Sequence, residues 1–169
     1  MTFGQYIGIF VWNNVYIIDL NMLYDIGIRG IILDVDNTLI DYKKVMPDGI
    51  KEWVTEAKNK DFRICILSNS NNKEKVSKVA EILNLEYIMS ATKPLKRGFK
   101  KAIKLLNLKP EECVAIGDQV FTDVIGANKM KIQSLYVEPI SKKDFWYTTW
   151  KRPIEALILN IYKKKVKEN

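Results

Sequence analysis

The stretch Gly30-Ile-Ile-Leu-Asp-Val-Asp-Asn-Thr-Leu39 begins as an unbroken apolar run and stops on two carboxylates, Asp34 and Asp36. A strand with apolar side chains on both faces must be covered on both faces, so the run predicts a central strand of a parallel sheet, introduced by Gly30. In open α/β sheets ligands gather outside the carboxyl ends of the strands, where the loops splay, and that is where these two acids fall. Alone, the stretch also fits an ordinary polar bend. Asp34 could cap a turn, with Asp36, Asn37 and Thr38 bonding their own backbone.

A second stretch, Val114-Ala-Ile-Gly-Asp-Gln-Val-Phe-Thr-Asp123, repeats the design. An apolar strand again ends on an acid, Asp118, with another at Asp123. Between and beyond these two stretches, apolar runs predict strands at Phe62 to Leu67, Glu86 to Met89 and Gln133 to Val137. Helices are predicted at Asp19 to Ile26, from Pro47-Asp48 through Ala57, from Asn71 or Asn72 through Leu83, from Leu95 to Leu106 and from Asp123 to Met130. Strands that alternate with helices of this length imply a parallel sheet with right-handed, helix-covered crossovers. The 169 residues suit one domain over 1–169. Within it, 1–18 reads as an apolar N-terminal arm and 138–169 as an aromatic and basic C-terminal extension.

The sequence contains no histidine. That excludes a Ser-His-Asp triad, a phosphohistidine and any imidazole metal site, and leaves carboxylates, lysine and cysteine to do chemistry. Cys65 and Cys113 each lie inside a predicted strand, and neither is followed six positions later by the arginine that a cysteine-dependent phosphatase requires. They read as small core residues in a reducing compartment.

Asp34-Val-Asp-Asn-Thr38, Ser68-Asn69, Lys93-Pro94 and Gly117-Asp118-Gln119 with Thr122-Asp123 stand in the order and spacing of four known motifs. On these residues the chain, from about Asp19 to Val137, resembles the haloacid dehalogenase (HAD) superfamily of phosphatases and is most similar to its subfamily IIIA, YqeG-type. The resemblance implies a HAD-like Rossmannoid three-layer α/β sandwich, with a five-stranded parallel sheet of order 3-2-1-4-5 in which Asp34 and Asp118 converge. It also implies a division of labour. Asp34 would be the nucleophile that forms an aspartyl-phosphate, and Asp36 the general acid and then base. Asp rather than Thr two residues after the nucleophile favours hydrolysis over ion pumping. Ser68, the amide of Asn69 and Lys93 would hold phosphoryl oxygens. Mg²⁺ would be held by the Asp34 carboxylate, the Asp36 carbonyl and Asp118, with Asp123 as a ligand or as an orienter of bound water. Thr38 and Thr122 are expected to be structural, Thr38 bonding the loop backbone.

Asp34 to Ser68 and Ser68 to Lys93 are each filled by core elements, so no cap domain is expected and the site should be open to a phosphate on something large. Net charge is +7, and the 29 residues from Ser141 to Asn169 hold +5 of it, from eight Lys/Arg against three acids. Such a tail favours an anionic partner. The uncharged aromatic start, the aromatic stretch Asp144 to Trp150 and a basic final helix from Pro153 point to an anionic phospholipid and peripheral membrane contact. YqeG-type proteins are similar to the mitochondrial phosphatidylglycerophosphate phosphatase, which implies dephosphorylation of phosphatidylglycerophosphate to phosphatidylglycerol. Two alternatives stand beside it. One is a nucleic-acid-end or phosphoprotein phosphatase using the basic helix Lys96 to Lys104; the other is a non-catalytic binding factor on ribosome or membrane. No signal segment and no run of ~20 apolar residues is visible, so a cytoplasmic protein is expected.

Overall fold

The computed structural model describes residues 10–141. In chain order the elements are β1 (Phe10–Trp12), α1 (Leu20–Asp25), β2 (Gly30–Leu33), α2 (Ile50–Asn59), β3 (Arg63–Leu67), α3 (Lys73–Leu83), β4 (Glu86–Ile88), α4 (Lys96–Leu106), β5 (Cys113–Gly117), α5 (Ile125–Asn128) and β6 (Gln133–Val137). All strand pairs are parallel, in the order β1-β6-β5-β2-β3-β4. The expected order 3-2-1-4-5 is present as β4-β3-β2-β5-β6. A sixth strand, β1, is added at the β6 edge, so part of the N-terminal arm joins the sheet. The remainder of that arm, residues 1–9, and the aromatic stretch, final helix and basic tail, from residue 142 on, lie outside the described residues.

Alternation along each strand explains the three layers, because successive side chains leave a strand on opposite faces. Ile31, Leu33, Ile64, Ile66, Val114 and Ile116 face a layer built by Leu20 and Leu23 of α1, Ile50, Trp53 and Val54 of α2, and Val76, Val79 and Leu83 of α3. Ile32, Cys65, Leu67, Cys113 and Ala115 face Phe99, Ala102 and Leu106 of α4 and Ala127 of α5. The second face is made of smaller side chains, so its helices approach closely. A Cβ on Gly98 of α4 would stand 2.5 Å from the carbonyl oxygen of Ala91, and one on Gly126 of α5 2.5 Å from the Phe99 ring.

Helix starts follow local chemistry. Asp19 caps α1 by accepting from the Asn21 N–H, and Asn72 caps α3 by accepting from the Lys75 N–H. At α2 the Glu52 carboxylate accepts from the Gly49 N–H at 3.0 Å. Between β2 and β3, and between β3 and β4, there is no further domain.

Candidate active site

Asp34 directly follows β2, and its N–H still donates to the Ile116 carbonyl of β5 at 3.0 Å. Asp118 directly follows β5. Since Leu33 and Ile116 are register partners, the two acids leave neighbouring strands at the same edge of the sheet. β2 leads on to β3 on one side, whereas β5 leads to β6 on the other, which makes this the switch point of the sheet.

Asp123 reaches the same point because residue 117 is glycine: a Cβ there would lie 2.4 Å from the Asp123 carboxylate. The chain also departs here from the helix expected over Asp123 to Met130. Val120–Val124 forms a wider π turn, with the Ile125 N–H on the Val120 carbonyl, and α5 covers only Ile125–Asn128. The extra residue in the turn lets Asp123 face inward, where its carboxylate accepts from the Gln119 N–H at 3.2 Å.

Lys93 ties the acids together. Its Nζ donates to Asp34 Oδ1 at 2.6 Å and to Asp123 Oδ1 at 2.5 Å. Asp34, Asp118 and Asp123 are buried, and each offers an oxygen within 4.8 Å of the others. Burial disfavours every charge here, but not equally. It would lower the Lys93 pKa, yet Asp123 and Asp34 outweigh it and hold the ammonium above its ordinary value. For Asp123, burial and the nearby Asp34 outweigh the Lys93 attraction and push the carboxyl up to about 6. Three carboxylates against one ammonium leave a formal charge of about −2 in a buried cluster of hard oxygen donors, which fits a divalent cation.

The other predicted residues take several positions. Asp36 is outside the cluster: Lys75 Nζ donates to its two oxygens at 2.6 and 2.8 Å. Its pKa is raised, burial winning over the pull of Lys75 and being reinforced by Asp34. Ser68 is buried just beyond β3, and its Oγ accepts from the Ser70 N–H. Asn69 uses its side chain on Lys93, with Nδ2 donating to the Lys93 carbonyl at 3.0 Å and Oδ1 accepting from the Lys93 N–H at 2.7 Å. Thr38 was expected to bond the loop backbone; its N–H does bond Val35, but its hydroxyl donates to Asp34 Oδ2 at 3.4 Å. The Thr122 hydroxyl stands likewise 3.4 Å from Asp123 Oδ2. Lys75 was missed by sequence reasoning. A visible signal existed, since a lysine in the first turn of a helix opposes the helix dipole.

Comparison with known proteins places this geometry. The family model of the haloacid dehalogenase-like hydrolases matches residues 43–131, more than half of the chain. The protein named probable phosphatase YqeG of Bacillus subtilis is 35% identical over 155 residues, covering 90% of this chain and 88% of its own. A glyceraldehyde 3-phosphate phosphatase of Pyrococcus furiosus is 27% identical over 108 residues, which span 59% of this chain and 45% of that longer protein. Among solved structures, an uncharacterized protein from Listeria monocytogenes serotype 4b shares the fold with a TM-score of 0.58 at 20% identity, over 70% of this chain and 85% of its own. The extent of the family match and the identity over nearly the whole chain show that it belongs to the haloacid dehalogenase-like hydrolases, as a phosphatase of the YqeG type.

Proposed function

We propose that the protein is a Mg²⁺-dependent phosphomonoester hydrolase that works through an aspartyl-phosphate on Asp34 and converts phosphatidylglycerophosphate to phosphatidylglycerol. The observation that carries the chemical part is the buried cluster in which Lys93 bridges Asp34 and Asp123 and Asp118 stands within 4.8 Å. Asp34, Asp118 and Asp123 would hold the cation with the Asp36 carbonyl, and the cation would supply charge neutralisation for an anion approaching an anion. Lys93 holds the Asp34 carboxylate in place through its Nζ, and its ammonium would also face the phosphoryl oxygens. Ser68 and Asn69, at the end of β3, complete the phosphate-binding edge. Asp36 hands its proton to the departing alcohol and then takes one from the water that cleaves the acyl-phosphate.

Support for a large lipid substrate comes from the absence of an inserted domain and from what surrounds the site. The loops after β2 and β4 lie at the same sheet edge and expose Tyr42, Val45 and Leu95, flanked by Lys43, Lys44, Lys96 and Arg97. Apolar side chains among cations suit an anionic bilayer surface. The five exposed cations of α4 (Lys96, Arg97, Lys100, Lys101 and Lys104) favour the second reading, a nucleic-acid-end phosphatase.

The decisive experiment is a phosphate-release screen with Mg²⁺ over phosphatidylglycerophosphate in vesicles, end-phosphorylated oligonucleotides, phosphopeptides and small esters including glyceraldehyde 3-phosphate. The Asp34→Asn protein is the control. Release from the lipid that EDTA abolishes and fluoroaluminate inhibits is expected. Release from oligonucleotides alone would transfer the proposal to the second reading, and metal-independent release by the unaltered protein would overturn the mechanism.

A further inference from the structure

The pair between Asp36 and Lys75 joins two distant elements, the loop after β2 and the first turn of α3, and both partners are mostly buried. Each partner is fixed from its own side. The backbone around Asp36 is held where Asn37 N–H donates to the Ile40 carbonyl at 2.8 Å. The turn that carries Lys75 is held by the Asn72 cap on the Lys75 N–H itself. A lysine is unfavourable there on two counts, because the N-terminus of a helix repels a cation and a shielded ammonium loses its hydration. The neighbouring Lys73 and Lys78 avoid the second cost by remaining exposed. Lys75 instead contacts both oxygens of one carboxylate with its single Nζ, which fixes the position of that group.

We propose that Lys75 is a positioning residue for Asp36, holding its carboxyl group on the leaving-group side of the site. The inference rests on the reading of Asp34 as nucleophile and Asp36 as proton donor. In that step an Asp34 oxygen forms the bond to phosphorus as the bond from phosphorus to the alcohol oxygen breaks. The electron pair goes to the alcohol oxygen, which takes the Asp36 proton. Lys75 makes and breaks no covalent bond; its ammonium keeps one Asp36 oxygen while the other carries the proton, and so determines where that proton is presented. Its importance therefore depends on how much the departing oxygen needs a proton. An alkoxide needs one, and a nitrophenolate does not.

The test compares kcat on benzyl phosphate and on p-nitrophenyl phosphate, esters of similar size and opposite need. Lys75→Met should lower the ratio of the two roughly tenfold, a part of what a general acid contributes. Asp36→Asn should lower the same ratio further. Lys75→Arg, which keeps the charge and can reach both oxygens, should recover most of it. An unchanged ratio in Lys75→Met, whether turnover is normal or equally depressed on both esters, would overturn the positioning role. Thermal melting of each variant separates a loss of fold from a loss of alignment. Asp34→Asn distinguishes the two levels: retained turnover in that variant would overturn the aspartyl-phosphate reading, and this inference with it. An inactive Asp34→Asn beside an unchanged Lys75→Met ratio would overturn the inference alone.

Discussion

An ammonium buried between two carboxylates does two jobs, and substitution separates them. Removing Lys93 leaves Asp34 and Asp123 facing each other without the cation that holds both, and uncompensated buried charge of this kind costs about 3–5 kcal/mol. We expect Lys93→Met to lose stability on that scale in urea denaturation and to lose turnover as well. Mg²⁺ should recover part of the stability and none of the activity, since the cation can neutralise the acids but cannot take the place of the ammonium beside the phosphate. Asp34→Asn acts in the opposite direction on the fold, because it removes one of the negative charges that crowd the cluster. Its melting temperature in EDTA should not fall, whereas phosphate release should drop roughly 10³-fold or more, as when one member of a jointly acting set is deleted. A variant that lost both together would make Asp34 a structural residue.

At the level of elements, the position of Lys93 depends on α4. Gly98 packs against the Ala91 carbonyl, two residues before Lys93, and leaves no room for a methyl group. Helix propensity alone makes Gly98→Ala stabilising by about 1 kcal/mol, whereas the clash makes it destabilising by about 1–3 kcal/mol. The clash should win, with a fall in both melting temperature and turnover. The strand cysteines supply a pH-dependent counterpart. Burial pushes the thiols of Cys65 and Cys113 up to about 12, from an ordinary value near 9. The native state keeps both protons where the unfolded chain loses them, so their contribution is complete below pH 9 and declines as pH rises toward 12. Iodoacetamide at pH 8 should leave both thiols unmodified in the native protein and alkylate both in urea, as read by mass spectrometry.

Which elements were legible from sequence follows from how local their causes are. The strands β2, β3 and β5 announce themselves because each is an apolar run that needs cover on both faces, and the caps at Asp19 and Asn72 act within three residues. The juxtaposition of Asp34 with Asp118 was legible through the order of motifs. β1 was not resolved within the apolar arm, because three residues carry no period and only the partner β6 makes them a strand. The π turn that turns Asp123 inward depends on packing against Gly117 and Lys93, contacts that are tertiary and leave no local pattern. The grip of Lys75 on Asp36 likewise exists only once α3 has docked beside the loop after β2.

For the whole molecule, the excess negative charge at the switch point is buried in a chain whose net charge is +7. A divalent cation that binds only the folded state should stabilise it by about 2.7 kcal/mol at a hundredfold excess over its Kd. Thermal melting should therefore rise with Mg²⁺ and fall with EDTA, and Asp118→Asn should blunt the shift. A melting curve indifferent to both would remove the case for a metal centre. No helix among the described residues is long and apolar enough to cross a membrane. One consequence of the topology concerns synthesis. The first described strand, β1, lies along the last, β6, with Phe10 against Leu135. During translation β1 leaves the exit tunnel long before its partner exists, and its hydrogen-bonding groups stay unmatched until nearly the whole sheet has been made. Such long-range pairing is slow to form. The nascent chain must therefore carry β1 without its partner from the making of Trp12 to that of Gln133, the period in which a holdase chaperone would have most to offer.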